Sequence, residues 1–371
     1  MSRSIFFSIL LLALPLYLWG ERQEDSIVKV FENGQEGYAC FRIPAIIRCN
    51  SGKLIAFAEG RKRGSGDTGD IDIVMKQSND GGKSWSRLSV VWDDGENVCG
   101  NPAPVVDAKS GKIVLVACHN LGRDSEGSIM QGKSAEGRRV YVLTSTDEGA
   151  SWSPPLEITS CVKLSSWGWY ATGPCHGIEL QKSHKGRIVI PANHSMLQDR
   201  SYHSHLIYSD DLGESWHLGG VVQEAGGNES CVVELKSGRL MQNMRNYNPQ
   251  HPHMRAYATS DNGGESLSGT GFLPQLIEPV CQGSTLRCSR GKYILFSNPA
   301  SGERRERMTL KLSRDNGLTW PGSYLVYAGP AAYSDMVNLP KGKIGLLFEF
   351  GKSDSNEAIG FVAVKIKEIK P

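Results

Sequence analysis

The chain has 371 residues, and 41 basic against 39 acidic side chains give it a formal net charge of +2. A hydrophobic content of 39% together with 42 glycines is typical of a folded, turn-rich protein and excludes a largely disordered chain. Charges of both signs are mixed along the sequence, without the long single-sign block that suits nucleic acid or an anionic membrane. Any anionic substrate must therefore be bound by a local cluster, and nucleic acid is not an expected partner.

The N-terminal segment differs from the rest of the sequence. Arg3 precedes an apolar stretch from Ile5 to Trp19, and Gly20 offers a small residue before a cleavage site. This stretch is shorter than the roughly 20 apolar residues that a membrane-spanning helix needs. The pattern favours a cleaved signal peptide over residues 1–20 rather than a membrane anchor, and a single domain over residues 21–371. The expected location is extracytoplasmic: periplasmic, extracellular or the lysosomal lumen.

Nine cysteines would then enter an oxidising compartment, where thiols can pair. The odd number leaves at least one cysteine unpaired. The spacings do not match a zinc signature, so buried free thiols are the alternative to a disulfide framework.

An octapeptide of the form S-x-D-x-G-x-[ST]-W recurs along the chain. Its five copies start at Ser78, Ser145, Ser209, Ser260 and Ser313, and the fourth carries Leu267 in place of the tryptophan. Each copy follows a short alternating apolar run, which predicts a half-buried strand followed by a hairpin turn. The aspartate can bond backbone amides of the turn, the glycine supplies an unusual backbone angle, and the tryptophan packs at the base. Repeat units of 51 to 67 residues suit the blades of a β-propeller.

Seven further motifs lie outside these repeats. They are Phe41-Arg42-Ile43-Pro44; Glu59-Gly60-Arg61-Lys62 followed by Asp67-Thr68-Gly69-Asp70; Gly227-Asn228-Glu229-Ser230; Asn243-Met244-Arg245-Asn246; Arg304-Arg305; Ala332-Tyr333-Ser334-Asp335; and Phe348-Glu349-Phe350. Together with the octapeptides, known as Asp boxes, they resemble bacterial and lysosomal-type sialidases over roughly residues 27–368. The resemblance implies an all-β, six-bladed β-propeller with Asp-box hairpin turns.

The same resemblance implies an exo-α-sialidase that removes terminal sialic acid from a glycoprotein, glycolipid or oligosaccharide with retention of configuration, and needs no cofactor or metal. The implied roles are substrate binding for Arg42, Arg245, Arg305 and Arg61, support of Arg42 for Glu349, nucleophile for Tyr333, base for Glu229 and acid/base for Asp67. The acid/base role predicts a raised pKa for Asp67 or an acidic pH optimum.

The chemistry of sialic acid explains these residue types. Its carboxylate sits on the anomeric carbon, and planar guanidinium groups bind a carboxylate through two parallel hydrogen bonds. A carboxylate nucleophile would be repelled by that group, whereas a neutral phenol is not, and sialidases are a recognised exception in using tyrosine. Tyrosine has an ordinary pKa near 10, so it needs an adjacent base.

Several assignments remain open in the sequence. Arg304 stands one position from Arg305, so a slip of one residue exchanges the third arginine. Asp67, Asp70 and Asp72 are spaced like calcium ligands, although the closing glutamate of a full loop signature is missing. The pairs His203 with His205 and His251 with His253 fit surface or packing roles better than a metal site.

Two further questions concern function. The aromatic segment 165–170, followed by Gly173-Pro174, lines either a substrate pocket or the core. A trans-sialidase, a glycosidase for a related nonulosonic acid, and a non-catalytic carbohydrate-binding propeller are the alternative functions.

Overall fold

The computed structural model of the protein describes residues 26–288 and 291–371. The predicted signal peptide, residues 1–20, lies outside the described residues. Strands dominate, and the helices are short: α1 (Glu126–Met130), α2 (Thr159–Val162) and a 3-10 turn at Ile366–Glu368. None of the helices in the described ranges has the length and apolar character required to cross a membrane.

Within the described ranges, the strand pairings divide into six groups of four antiparallel strands, called blades 1 to 6. Blade 1 contains β2 (Cys40–Arg48), β3 (Leu54–Arg61), β4 (Ile71–Ser78) and β5 (Ser89–Trp92), and blade 2 contains β6 (Val98–Val106), β7 (Ile113–Asn120), β8 (Arg139–Ser145) and β9 (Leu156–Glu157). Blade 3 contains β10 (Trp167–Thr172), β12 (Ile188–Met196), β13 (Tyr202–Ser209) and β14 (His217–Val221), with the short β11 (Ile178–Glu179) beside β12.

Blade 4 contains β15 (Gly227–Glu234), β16 (Leu240–Asn246), β17 (Met254–Ser260) and β18 (Gly271–Ile277). Blade 5 contains β19 (Ser284–Cys288), β20 (Tyr293–Pro299), β21 (Glu306–Ser313) and the first half of β22 (Gly322–Leu339). Blade 6 contains the second half of β22, then β23 (Lys343–Phe350), β24 (Ala358–Lys365) and β1 (Val28–Glu32). The fold is the predicted all-β propeller, and this grouping is consistent with six blades.

Pairing between the two ends of the chain explains why there are five Asp boxes for six blades. Each box is the turn between the third and fourth strands of blades 1 to 5. In blade 6 the third strand is β24 and the fourth is β1, which pairs with it antiparallel from the other end of the sequence. Since these strands are not consecutive, blade 6 has no third-to-fourth hairpin to hold a sixth box.

The hydrogen bonds of the first Asp box match the predicted turn. Asp80 accepts hydrogen bonds from the side-chain hydroxyls of Ser78 and Ser84, and from the backbone N–H of Ser84 at 3.0 Å. The indole of Trp85 donates to the carbonyl of Gly82 at 3.2 Å. The carboxylate thus accepts hydrogen bonds from several donors of its own turn. These bonds replace the backbone pairing that a tight turn cannot supply.

The fourth box departs from the pattern at a second position besides Leu267. Asn262 occupies the aspartate position, where its amide oxygen accepts the backbone N–H of Ser266 at 3.0 Å and its Nδ2 donates to the Ser266 hydroxyl. The amide has the shape of the carboxylate and a donor where the other boxes have an acceptor. The turn therefore forms without a charge.

The apolar core lies between neighbouring blades. One cluster joins Phe31 and Phe361 of blade 6 to Ile46 of blade 1, and another joins strands of blades 2 and 3. Packing of sheet against sheet, about 10 Å apart, thus holds the ring together. Of the nine cysteines, Cys161 is exposed and the other eight are buried.

We expect Gly82→Ala to lower the free energy of unfolding more than Gly81→Ala does. Both glycines have left-handed φ angles, +89° and +76°, so both changes strain the backbone. A Cβ at Gly82 would lie 2.0 Å from a ring carbon of Phe361 in blade 6, whereas a Cβ at Gly81 meets nothing within 4 Å. Overpacking costs about 1–3 kcal/mol, which is the expected difference between the two variants. Urea unfolding measures it, and equal losses would contradict this packing between blades.

Candidate active site

The candidate site is a cavity of about 220 Å³ at one end of the propeller axis. First strands of the blades begin there and second strands end there, so the Asp boxes, which follow the third strands, lie at the opposite end. Seven of the eight predicted site residues line the cavity: Arg42, Arg61, Asp67, Glu229, Arg245, Arg305 and Tyr333. The eighth, Glu349, is completely buried behind Arg42.

Tyr333 and Glu229 form a short hydrogen bond inside the cavity. The phenol donates to Glu229 Oε1 at 2.5 Å, and Arg245 contacts both partners, at 2.7 Å from Glu229 Oε2 and 3.3 Å from the phenol oxygen. Burial and the negative Glu229 raise the pKa of Tyr333 well above its ordinary value, although Arg245 and Arg42 oppose this. These surroundings favour the neutral phenol, and Glu229 is the group placed to receive its proton.

Glu349 fixes Arg42 and the backbone of Tyr333 together. Its carboxylate accepts from Arg42 Nε at 3.2 Å and Nη2 at 3.3 Å, from the backbone N–H of Ile43 at 2.9 Å, and from that of Tyr333 at 3.2 Å. Ile43 has a φ of 59°, which is strained for a β-branched residue. The Phe-Arg-Ile-Pro motif thus includes a bend that aims Arg42 into the cavity, with its guanidinium 5.0 Å from the Tyr333 ring centre.

Asp67 lies in the loop between β3 and β4, and 63% of its side chain is exposed. Arg61 pairs with it at 2.7 Å, and Arg42 stands 4.0 Å away. Partial burial raises the pKa of Asp67, but the two arginines lower it further, so its pKa lies below the ordinary value. The predicted raised pKa of Asp67 is therefore wrong in this structure, because the sequence pattern does not reveal how close both arginines come.

Arg61 is engaged with the protein on all sides. Only 3% of its side chain is exposed, and its guanidinium bonds Glu59 Oε2 at 2.6 Å, the carbonyl of Ser65 and Asp67. Because those donors are already used, the geometry of Arg61 is that of a support for Asp67 more than that of a free binding group.

The two adjacent arginines of the β20–β21 connection have different surroundings. Arg305 lines the cavity, with its guanidinium 5.6 Å from the centre of the Tyr333 ring. The side chain of Arg304 is 75% exposed and lies 3.6 Å from Glu306. Arg305 is therefore the residue of this pair that faces Arg42 and Arg245.

Five charged or aromatic residues that line the cavity belong to none of the seven motifs, namely Glu126, Arg138, Trp169, Tyr202 and Tyr247. Arg138 stacks on Trp169 at 4.0 Å and donates to Asn101 Oδ1 at 2.5 Å. Glu126, from α1, accepts a 2.7 Å hydrogen bond from Tyr202, and burial raises its pKa. Arg138 and Glu126 lie outside any repeat, so the sequence offers no signal for them. Trp169 belongs to the aromatic segment, whose neighbours Trp167 and Tyr170 lie in the core.

The open metal assignments find no support in the geometry. Asp72 is buried, accepts from Tyr38 at 2.6 Å and pairs with Lys62, while Asp67 binds Arg61 instead. His205 packs against His194 with their Nδ1 atoms 3.0 Å apart. Across residues 26–288 and 291–371, no three His, Cys, Asp or Glu side chains are grouped as metal ligands.

The family match, the related sequences and the related structures all indicate the same protein family. Residues 52–346 match the family described as BNR repeat-like domain. An exo-alpha-sialidase of Arthroderma benhamiae is 32% identical over 84% of this chain and 78% of its own length. A sialidase of Micromonospora viridifaciens is 30% identical over 86% of this chain. The solved structure titled Hadza microbial sialidase Hz136 superposes with a TM-score of 0.83 at 30% identity, covering 92% of this chain and 69% of that one.

The relatives differ in length from this protein. The chain spans about half, 51%, of the Micromonospora sialidase that it matches and 65% of a sialidase from Bacteroides fragilis. The family match nevertheless covers most of this chain, and the fungal relative is matched over more than three quarters of its length. The chain therefore belongs to the sialidase family of glycoside hydrolases with BNR, or Asp-box, repeats.

Proposed function

We propose that the protein is an exo-α-sialidase that hydrolyses terminal sialic acid with retention of configuration. The observation that carries this proposal is the 2.5 Å hydrogen bond from Tyr333 to Glu229 inside a cavity lined by Arg42, Arg245 and Arg305. A nucleophile beside its base, together with a separate carboxyl group at Asp67, suits a two-step displacement. Mere recognition of a carboxylate would require only the arginines.

In the first step, the three arginines bind the substrate carboxylate and place the anomeric carbon near Tyr333. The phenol oxygen forms a bond to that carbon while Glu229 takes the phenol proton. The bond to the leaving oxygen breaks, and Asp67 gives its proton to that oxygen. The products of this step are a sialyl-tyrosine and a free alcohol.

In the second step, Asp67 takes a proton from a water molecule that attacks the anomeric carbon. The bond between carbon and tyrosine breaks, and Glu229 returns its proton to the phenol oxygen. Two displacements at one carbon retain its configuration. Arg245 contacts both Glu229 and Tyr333, so it stays beside the negative charge that passes between them.

The lowered pKa of Asp67 has a consequence for the pH dependence. Asp67 must carry a proton in the first step, but in the free enzyme Arg61 and Arg42 favour its carboxylate. The protonated fraction falls as the pH rises above the pKa of Asp67, so kcat/KM falls too, and the optimum is acidic. A substrate carboxylate on Arg42 would weaken one of the two attractions and favour the protonated form.

Replacing Arg61 tests this assignment. We expect Arg61→Gln to move the fall in kcat/KM to higher pH, because removal of the positive charge 2.7 Å from Asp67 raises the pKa of that carboxyl group. Arg63→Gln is the matched control, since Arg63 is exposed and pairs with Glu96 instead. An unchanged pH profile in Arg61→Gln would contradict Asp67 as the proton donor.

The first test of the proposed function is hydrolysis of sialyl-umbelliferone, with proton NMR of the first sugar released. The α-anomer of sialic acid supports the retaining hydrolase. Transfer to a galactoside acceptor in preference to water would indicate a trans-sialidase, and binding without turnover would indicate a carbohydrate-binding propeller. Secretion after cleavage of residues 1–20 stays a prediction, which N-terminal sequencing of the secreted protein checks.

A further inference from the structure

A second buried polar pair lies outside the cavity lining, and the mechanism above does not use it. Asp335 follows Tyr333 by two positions in β22, just after the pairing of β22 with β23 shifts register between Ala331 and Ser334. Its side chain is completely buried and pairs with His176 of the β10–β11 connection, with His176 Nδ1 at 2.7 Å from Asp335 Oδ1. The cavity residues do not include either of them.

Asp335 connects four segments of the chain. Its Oδ2 accepts from the backbone N–H groups of Ile46 in β2 at 2.9 Å and of His176 at 3.0 Å. Its Oδ1 accepts from the hydroxyl of Ser284 in β19 at 2.7 Å and from the N–H of Met336 at 2.9 Å. Because β2 carries Arg42 and β22 carries Tyr333, this carboxylate fixes the strand of the nucleophile against the strand of the first arginine.

We propose that the His176–Asp335 pair is a positioning element for Tyr333, and that the charge on His176 controls how firmly the phenol is held for reaction. This inference rests on the proposed function of Tyr333 as the nucleophile. His176 does not touch the substrate cavity and acts through Asp335 and β22. A displacement of about 1 Å in a reacting group can cost about 100-fold in rate, so the position of this strand affects turnover.

The surroundings of His176 make Asp335 its dominant charged partner. The titratable or charged groups near it include the adjacent Cys175, with Cys231 and Arg255 behind that thiol, and four residues that line a surface cavity together with His176: Arg48 of β2, Glu179 of β11, Glu234 of β15 and Arg287 of β19. Arg287 bonds Glu234 at 3.3 Å, and Glu179 accepts from the N–H of Ala108 at 2.7 Å. Within residues 26–288 and 291–371, Asp335 is the only group that hydrogen-bonds the imidazole of His176.

The charge state of His176 follows from these contacts. Burial lowers the pKa of His176, but attraction and hydrogen bonding to Asp335 raise it further, so its pKa lies above the ordinary 6.5. A raised pKa means that the stabilisation is complete below the unfolded value and declines as the pH rises through the folded value. We therefore expect kcat to fall as His176 loses its proton, in addition to the effect of Asp67.

Two substitutions separate positioning from general stability. His176→Ala should lower kcat by about 100-fold with little change in KM, because the strand of Tyr333 loses its anchor. His176→Asn places an amide donor near the position of Nδ1, but this amide does not titrate. The variant should therefore recover most of kcat and lose the fall in kcat that accompanies loss of the His176 proton. His217→Ala is the control, since His217 is exposed on the outer strand β14.

A spectroscopic measurement tests the coupling without substrate. In protein labelled with ¹³Cζ tyrosine, the Tyr333 signal, assigned with Tyr333→Phe, should shift with the midpoint of the His176 imidazole titration. The step should vanish in His176→Asn. This measurement is valid even if the wild type releases no sialic acid, so failure of the proposed function and failure of this inference can be told apart.

Three results would overturn the inference. They are a wild-type kcat in His176→Ala, a fall of kcat with rising pH that persists in His176→Asn, and a Tyr333 signal that does not shift as His176 titrates. If His176→Ala does not fold, the asparagine variant and the wild-type titration still decide.

Discussion

Tyr333→Phe should lower kcat for sialyllactose by at least about 1000-fold, since removal of a nucleophile that acts as one unit with its base abolishes most of the chemical advantage. The ring of the phenylalanine keeps the packing against Arg42 and Arg305. What disappears is the oxygen that lies 2.5 Å from Glu229. Sialyllactose is the suitable substrate because its sugar leaving group departs poorly without attack by the nucleophile.

Tyr247→Phe is the matched control for this experiment. Tyr247 lines the same cavity and accepts a 2.5 Å hydrogen bond from Arg245, but it does not contact Glu229. Removal of the Tyr247 hydroxyl should mainly raise KM, because Arg245 loses a hydrogen-bond partner while the nucleophile remains. More than a tenth of wild-type kcat in Tyr333→Phe would contradict the assigned role of Tyr333.

Asp67→Ala should have an effect that depends on the leaving group. A general acid contributes about 100- to 10000-fold when the departing oxygen needs a proton. Sialyllactose releases such an oxygen, whereas umbelliferone is a weakly basic phenolate that leaves with little help. The loss of kcat/KM should therefore be much larger for sialyllactose than for sialyl-umbelliferone.

This comparison contains its own control, because both substrates carry the same sialic acid and bind the same arginines. Asp67 is 63% exposed, so its removal should leave the fold intact, which circular dichroism checks. Equal losses with the two substrates would mean that Asp67 positions the sugar and does not donate the proton.

Local patterns in the sequence predicted the propeller and the turns well. The spacing of the Asp boxes and the alternating strands before them depend only on neighbouring residues, and the turn at Asp80 forms as expected. Closure of the ring could not be predicted in this way. It depends on pairing of β1 with β24, such as Val28 with Phe361, across nearly the whole chain.

The motif residues Tyr333, Glu229 and Arg305 line one cavity, and their roles in it stay predictions. The electrostatics of the cavity could not be predicted from the motifs. The pKa of Asp67 was predicted in the wrong direction, because its sign depends on distances to Arg61 and Arg42 that spacing along the chain does not give. Cavity residues that belong to no motif were not predicted for the same reason, since only the fold brings them to the cavity.

The most direct test of the account is to trap the covalent intermediate. A sialyl fluoride with a second fluorine beside the anomeric carbon should react through its good leaving group and then hydrolyse slowly, because that fluorine disfavours the positively charged transition state. Peptide mass spectrometry should find the sugar on the peptide that contains Tyr333, and no adduct in Tyr333→Phe. An adduct on Asp67 or Glu229 instead, or turnover of this reagent by the wild type with no adduct at any time, would contradict tyrosine as the nucleophile.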